Sequence, residues 1–367
     1  MRGREKVSSY SDTIWPLDEH TIAKHEILAN YLAGWFPILS RYQGRIVYID
    51  GFAGPGIYSG GELGSPIIAL KTASDHMLRS SFKQIMFLFI ESRQDRAEKL
   101  KTVIQGHCLP LPDKFAYQIY TGEFETVVGE GLETLEKEDK KLAPTFAFID
   151  PFGYTGFSME FLSKILSYQK CELFITFMSG FIKRFLDEGK EESLTKLFGT
   201  DEWKKIKEIQ GYRDEILLEL YKKQLKEKCG VEYVRSFEMV NKSNQPIYHL
   251  IFCTNSIKGL EVMKNSMLAV DKRGQYKFSD RLGSGQTYLF SDTDYWKKDA
   301  ANLIYKNYRG KTVSIEEIKN YTIVETDYIY RSGIMQYMEQ NNPERIVKVD
   351  NRKRKNTFPE GCIITFS

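Results

Sequence analysis

The chain has 367 residues, 42% of them apolar and 28% charged, with a formal net charge of +3. That is material for one sizeable core and a smaller second unit; no global basic field demands a nucleic-acid partner, and no apolar run approaches the ~20 residues of a membrane span. The polar start Met1 to Tyr10 lacks a signal peptide's apolar stretch, and Cys108, Cys171, Cys229, Cys253 and Cys362 form neither a C-x-x-C pair nor a histidine-completed metal set, so a cytoplasmic chain with reduced thiols, no membrane and no metal is expected.

From Trp15 to Leu39, apolar residues recur at three- and four-residue steps, the pattern of an amphipathic helix. Arg45 to Asp50 is a short β-favouring run that stops in the glycine cluster Asp50-Gly51-Phe52-Ala53-Gly54-Pro55-Gly56, and reads as a buried parallel strand. Ser65-Pro66 has the form of an N-cap with proline at the first helical position, opening a helix from Ile67 to Leu78. Further apolar runs, Ile85 to Ile90, Ala116 to Tyr120, Phe146 to Ile149 and Leu173 to Phe177, alternate with the helical stretches Asp95 to Val103, Glu125 to Glu138 and Met159 to Tyr168. Strand alternating with helix predicts an α/β domain with a doubly wound, mostly parallel sheet.

Phe181 to Ile209, charged and broken by glycines, suits a helical insertion, and a helix from Asp214 to Lys228 follows. Tyr233 to Val240 and Pro246 to Thr254, joined by a turn-rich segment, predict an antiparallel hairpin at the sheet edge, the seventh strand included. Gly274 to Gly285 has linker character, which puts a boundary near Ser284 between domains 12–283 and 284–367. The tail reads as helices Asp294 to Tyr308, Ser314 to Tyr321 and Arg331 to Gln340, then a hairpin of Arg345 to Val349 and Cys362 to Phe366. That order resembles a winged helix-turn-helix, with Arg352-Lys353-Arg354-Lys355 where a wing projects, a candidate nucleic-acid contact.

The glycine turn ending the first strand lets the backbone approach a nucleoside cofactor such as S-adenosylmethionine (SAM) closely. Glu91, ending the second strand, suits the ribose hydroxyls, and Gly122-Glu123, ending the third, suits the adenine amino group; the alternatives are a solvated helix-capping acid at Glu91 and a surface acid in a βα loop at Glu123. The fourth strand ends in Asp150-Pro151-Phe152-Gly153-Tyr154, which resembles the [DNS]-P-P-[YFW] loop of amino-group methyltransferases. There the acid and the first proline's carbonyl accept from a target amine while the aromatic stacks on the flipped base. Here Phe152 stands at the second proline position and Gly153 at the aromatic one, so stacking falls to Phe152 or Tyr154. No cysteine follows the fourth strand to serve as a cytosine-C5 nucleophile, and Pro55 with the long loop before Ser65 fits poorly with a NAD-binding turn.

Taken together, His20-Thr21-x-x-Lys24-His25, Tyr48-Ile49-Asp50-Gly51-Phe52-Ala53-Gly54-Pro55-Gly56, Gly64-Ser65-Pro66-Ile67 and Phe148-Ile149-Asp150-Pro151-Phe152-Gly153 resemble the three-Cys-motif partner protein (TcmP) family, over about residues 12 to 270. That resemblance implies a methyltransferase-like protein paired with a radical-SAM protein that carries the three cysteines, often ending in a winged helix. The same blocks are similar to the ribosomal RNA adenine-N6 methyltransferase family. From this likeness come cofactor contacts at His25, Phe52, Ser65, Glu91, Gly122 and Glu123 and the catalytic acid role of Asp150; Lys24 and the turn residues Asp50, Ala53, Gly54 and Gly56 join the cofactor-binding candidates, and Pro151 and Phe152 of the loop join the catalytic ones. Two functions follow as expectations: methylation of an exocyclic amino group of a nucleic-acid base, or a non-catalytic SAM-binding scaffold of the radical-SAM partner.

Overall fold

The computed structural model describes residues 12–41, 44–186, 190–209, 211–271, 276–279 and 295–367. Contacts divide them into two units: an N-terminal one formed by the described residues of 12–255 with 278–279, and a C-terminal one formed by those of 256–277 and 295–367. Ser284, Asp294 and most of Gly274 to Gly285 lie outside the described residues. No helix among the described residues is long and apolar enough to cross a membrane.

In the N-terminal unit, α1 (Glu19–Ser40) precedes β1 (Arg45–Asp50), and α2 (Ser65–Ser74) follows the glycine turn. Then come β2 (Gln84–Glu91), α3 (Gln94–His107), β3 (Phe115–Thr121), α4 (Phe124–Lys137), β4 (Thr145–Ile149), α5 (Met159–Leu166) and β5 (Cys171–Phe177). Helices α6 (Ser179–Phe185) and α7 (Glu191–Phe198) and the 3-10 turn Glu202–Glu208 occupy the expected insertion, and α8 (Arg213–Cys229) leads to β6 (Tyr233–Val240) and β7 (Pro246–Thr254). The sheet order is β3-β2-β1-β4-β5-β7-β6, with the short β8 (Lys277–Ser279), of which Phe278 and Ser279 belong to this unit, at the β6 edge. Strands β1 to β5 pair in parallel, and β7 runs antiparallel to β5 and β6. This is the expected Rossmann-like α/β architecture: a doubly wound, mostly parallel sheet with an antiparallel edge hairpin.

The α1 face explains how the site is held. Tyr31, Trp35 and Phe36 are buried, and their rings lie 5.0 to 6.0 Å from those of Phe146, Phe252 and Phe87 on the sheet. Each such aromatic removes enough apolar surface from water to contribute about 2 kcal/mol. The helix is thereby fixed along the sheet with Lys24 near the carboxyl ends of the strands.

Ser65 is the first residue of α2 and not its cap. The cap position is Gly64, and the Ser65 hydroxyl bonds the buried Asp50 carboxylate instead.

The C-terminal unit holds α9 (Ile257–Val270), α10 (Tyr295–Tyr308), β9 (Thr312–Ser314), α11 (Ile315–Glu325), α12 (Ser332–Asn341), β10 (Ile346–Asp350) and β11 (Ile363–Phe366). Helix α9 lies before the boundary expected near Ser284, yet groups with this unit. The three strands form an antiparallel sheet, β10-β11-β9, whose third strand the sequence pattern does not reveal. Ser314 caps α11 in a capping box with Glu317, so the predicted start of that helix coincides with its cap.

Candidate active site

Two recesses open at the carboxyl ends of the parallel strands and share Phe52 and Phe152 as walls. The smaller, about 320 Å³, is lined by Gly51, Glu91, Ser92, Arg96, Gly122, Glu123 and Phe124 besides those two rings. The larger, about 980 Å³, lies between the glycine turn, α1 and the ends of β4, β5 and β7. Its walls include Lys24, Ala53, Gly54, Gly56, Tyr58, Ser65, Asp150, Pro151, Thr176, Met178 and Tyr248. Together they have the concave form and mixed polar and apolar lining of a small-molecule site.

The turn between them is shaped by its own packing. Gly54 and Gly56 have φ of +60° and +76°, which favours glycine, and a β-carbon on Gly51 would come within 2.8 Å of the Phe124 ring. Glu91 fastens the turn from the neighbouring strand: Oε2 accepts from the Gly54 amide at 2.9 Å, and Oε1 accepts from the Arg93 amide at 2.9 Å. Oε1 also accepts from the Ser92 hydroxyl at 3.5 Å; a carboxylate has about four acceptor positions, so Oε2 keeps one. The buried Asp50 accepts from the Phe52 amide at 3.3 Å, and burial, reinforced by the charge of Asp150, pushes its pKa up to about 7.

Lys24 and Asp150 meet across the larger cavity: Nζ donates to Oδ2 at 2.5 Å, and the ammonium lies 5.3 Å from the Tyr248 ring. The lysine is 5% exposed, so without the carboxylate its charge would be stranded. Burial, with the Lys24 charge adding to it, pushes the neighbouring His25 down to about 3, so that imidazole is neutral at ordinary pH.

The loop after β4 departs from the sequence analogy for a backbone reason. Gly153 sits at φ +148°, where an aromatic residue would be strained. Tyr154 turns into the core at 4% exposed, whereas Phe152 is 46% exposed and forms cavity wall. Of the two stacking candidates, Phe152 is the one that faces ligand space.

Among the sequence-derived site residues, Lys24, Phe52, Ala53, Gly54, Gly56, Ser65, Asp150, Pro151 and Phe152 line the larger cavity, and Glu91, Gly122 and Glu123 line the smaller. His25 and Asp50 are buried and do not figure in either lining: His25 packs against Tyr58, ring centroids 5.8 Å apart, and Asp50 braces the turn. Sequence reasoning missed Trp15, Tyr58, Arg96, Thr176, Met178 and Tyr248. Trp15 is held edge-on to Phe152 with centroids 5.0 Å apart, and the Arg96 guanidinium lies 4.7 Å from the Trp15 ring.

No family model matches the chain, and no curated protein matches it. Solved structures overlay part of it. Trm1 from Pyrococcus horikoshii, in complex with S-adenosyl-L-methionine, overlays with TM-score 0.41 and 12% identity over 69% of this chain and 60% of its own length. An O-methyltransferase from Bacillus cereus, in complex with SAH, gives 0.33 and 13% over 62% and 80%. A SAM-dependent methyltransferase from Methanosarcina mazei gives 0.25 and 13% over 57% and 91%. This chain thus spans 60% of the length of the first of these proteins, and overlaps so partial say nothing of what it binds.

The basic run lies in the C-terminal unit and is not uniform. Arg352 is engaged in a two-armed pair with Glu339, at 2.6 and 2.8 Å, and Glu339 also accepts from the Asn356 amide at 2.9 Å. That arginine anchors the loop to α12 and is not a free phosphate contact. Lys353, Arg354 and Lys355 are exposed.

Proposed function

We propose that the N-terminal unit binds SAM and transfers its methyl group to an exocyclic amino group, with a nucleic-acid base of the adenine-N6 type as acceptor. The observation that carries this reading is the placement of Asp150 in the wall of one recess and of Glu91 and Glu123 in the wall of the other, with Phe52 and the exposed Phe152 lining both. The residues present fit the cofactor. Glu91, rigidly held and with acceptor capacity left, suits the ribose diol; Glu123 suits the adenine amine; Phe52 and Phe124 supply apolar walls. His25 and Asp50 act behind them, as packing and as a brace of the turn.

Bound SAM would supply an electrophilic methyl group and leave as a neutral thioether. The chain's residues do the rest. The Asp150 carboxylate and the Pro151 carbonyl accept from the target amine, turning its lone pair toward the cofactor side, and Phe152 stacks on the ring that bears it. Lys24 holds Asp150 in place through Oδ2, leaving Oδ1 for the amine. As the new C–N bond forms, the amine sheds a proton to the Asp150 carboxylate, which passes it to water.

The C-terminal unit, with three helices before a small antiparallel sheet and the exposed Lys353, Arg354 and Lys355, supports a winged-helix reading in which the loop contacts phosphates. The likeness to the TcmP family adds a radical-SAM partner to the proposal, and the scattered cysteines and polar start of the sequence a cytoplasmic setting.

A second reading, a SAM-binding scaffold without catalysis, draws support from Gly153, whose backbone does not favour the aromatic of amine-methylating loops. Incubation with methyl-labelled SAM and pools of RNA, DNA and cell extract separates the two. Transfer that falls roughly a thousandfold in Asp150→Ala while SAM binding persists supports the enzyme. Tight SAM binding with no labelled acceptor in any pool overturns it in favour of the scaffold.

A further inference from the structure

Thr176 stands in the wall of the larger cavity, 3% exposed, and its Oγ1 has no hydrogen-bond partner among the described residues. A hydroxyl shut away from water without a partner is costly to keep, so its presence in a cavity wall points to a ligand. Its position is set by the sheet. Strands β4 and β5 pair in parallel with Ile149 opposite Ile175, so Asp150 and Thr176 are the next residues along neighbouring strands. Two residues earlier, Phe148 and Phe174 touch with ring centroids 5.8 Å apart, and alternation along a strand puts Asp150 and Thr176 on that same face. A carboxylate and a hydroxyl therefore stand side by side, about 4.8 Å apart in strand spacing.

We propose that Thr176 is a specificity-determining residue that reads the ring nitrogen beside the methylated amine, so that the acceptor is an amino heteroaromatic with an amidine edge, such as the Watson–Crick edge of adenine. This rests on the methyl-transfer reading above. Asp150 accepts from the amine, and the Thr176 hydroxyl donates to the adjacent ring nitrogen. These two hydrogen bonds leave an amidine edge side by side, one donated by the ring system and one accepted, which matches the two side chains in spacing and polarity. A base with an N–H donor at the neighbouring ring position would place donor against donor unless the threonine hydroxyl turned, and that turn forfeits no other contact of Thr176. The asymmetry that discriminates is therefore between a ring nitrogen and a ring C–H, which offers the hydroxyl nothing.

The test uses the full chain saturated with SAH, which cannot react. Affinities are measured by fluorescence anisotropy for short single-stranded RNA and DNA oligonucleotides that carry one adenine or, in its place, one 1-deazaadenine, whose ring nitrogen is replaced by C–H. Wild type should bind the adenine form of at least one of the two nucleic acids about tenfold more tightly than its deaza form. Thr176→Val, nearly the same in shape, should bind both forms alike, and Thr176→Ser should restore the preference even if the valine variant folds poorly. No preference in wild type, or a preference that survives in Thr176→Val, overturns the inference. Failure of the chain to bind SAH at all strikes instead at the functional reading beneath it.

Discussion

The cavity of the N-terminal unit and the buried charges of the C-terminal unit make an instructive contrast. In the N-terminal unit, Glu91, Asp150 and Thr176 are buried or nearly so at the strand ends, and each retains hydrogen-bonding capacity that faces a cavity. In the C-terminal unit the buried charges are fully employed inside the protein. Lys264, 0% exposed on α9, donates to the carbonyls of Ile323 and Thr326 at 2.8 Å each and of Tyr328 at 2.5 Å, closing the end of α11, and Glu339 is taken up by Arg352 and Asn356. Buried polarity alone is thus no mark of a binding site; what marks one is polarity that the protein does not use up itself.

The ion pair in the cavity should show the largest effect. Lys24→Met should leave Asp150 without its ammonium, lowering methyl transfer by roughly a hundredfold or more with a smaller loss of fold, read from single-turnover rates beside melting curves. Lys264→Met should do the reverse. It orphans several carbonyls at one helix end and should cost about 3 kcal/mol by chemical denaturation, with SAM affinity unchanged.

Ligand-linked stability comes next in size. SAM at a hundred times its dissociation constant should stabilise the N-terminal unit by about 2.7 kcal/mol, measured by amide hydrogen exchange, with no matching gain in protection at α9 or α11. Arg352→Ala should loosen the loop after β10 and cost roughly 1–2 kcal/mol, whereas Lys353→Ala should leave stability alone and flatten the salt dependence of any nucleic-acid binding.

The smallest effect is a pH signature. The Asp50 pKa is raised in the fold to about 7, so its contribution to stability is present in full below the unfolded value of 3.8 and is lost as pH rises through about 7. Against Asp50→Asn, wild type should lose ground steadily over that window. His25, lowered from 6.5 to about 3, works the other way: its contribution is present above pH 6.5 and is lost as pH falls toward 3, so His25→Gln should gain on wild type in acid.

Much of the fold was legible because it is written locally. The β1 run ending in glycines, the alternation of apolar and amphipathic segments, and the helix start at Ser314 are all short-range patterns. The Asp150 loop and Glu91 were legible for the same reason, since each closes a strand. What escaped is what distant segments bring together. Thr176 and Tyr248 carry no motif: Thr176 reaches the cavity because β5 lies beside β4, and Tyr248 because β7 inserts beside β5 in reverse. Ser65 looked like a cap because its interaction with Asp50 spans a turn whose path the sequence does not fix. The wing residues looked alike in sequence, and only the Glu339 carboxylate, thirteen positions earlier in the chain, separates Arg352 from its neighbours.

One feature of the cavity also gives the protein a built-in optical reporter. Of its four tryptophans, Trp35 and Trp203 are sealed in the core and Trp296 belongs to the other unit, while Trp15 borders the larger recess against Phe152 and Arg96. Emission that shifts on titration with a nucleoside therefore reports on a single indole, and Trp15→Phe supplies the dark control, so occupancy of the recess can be followed in unlabelled protein.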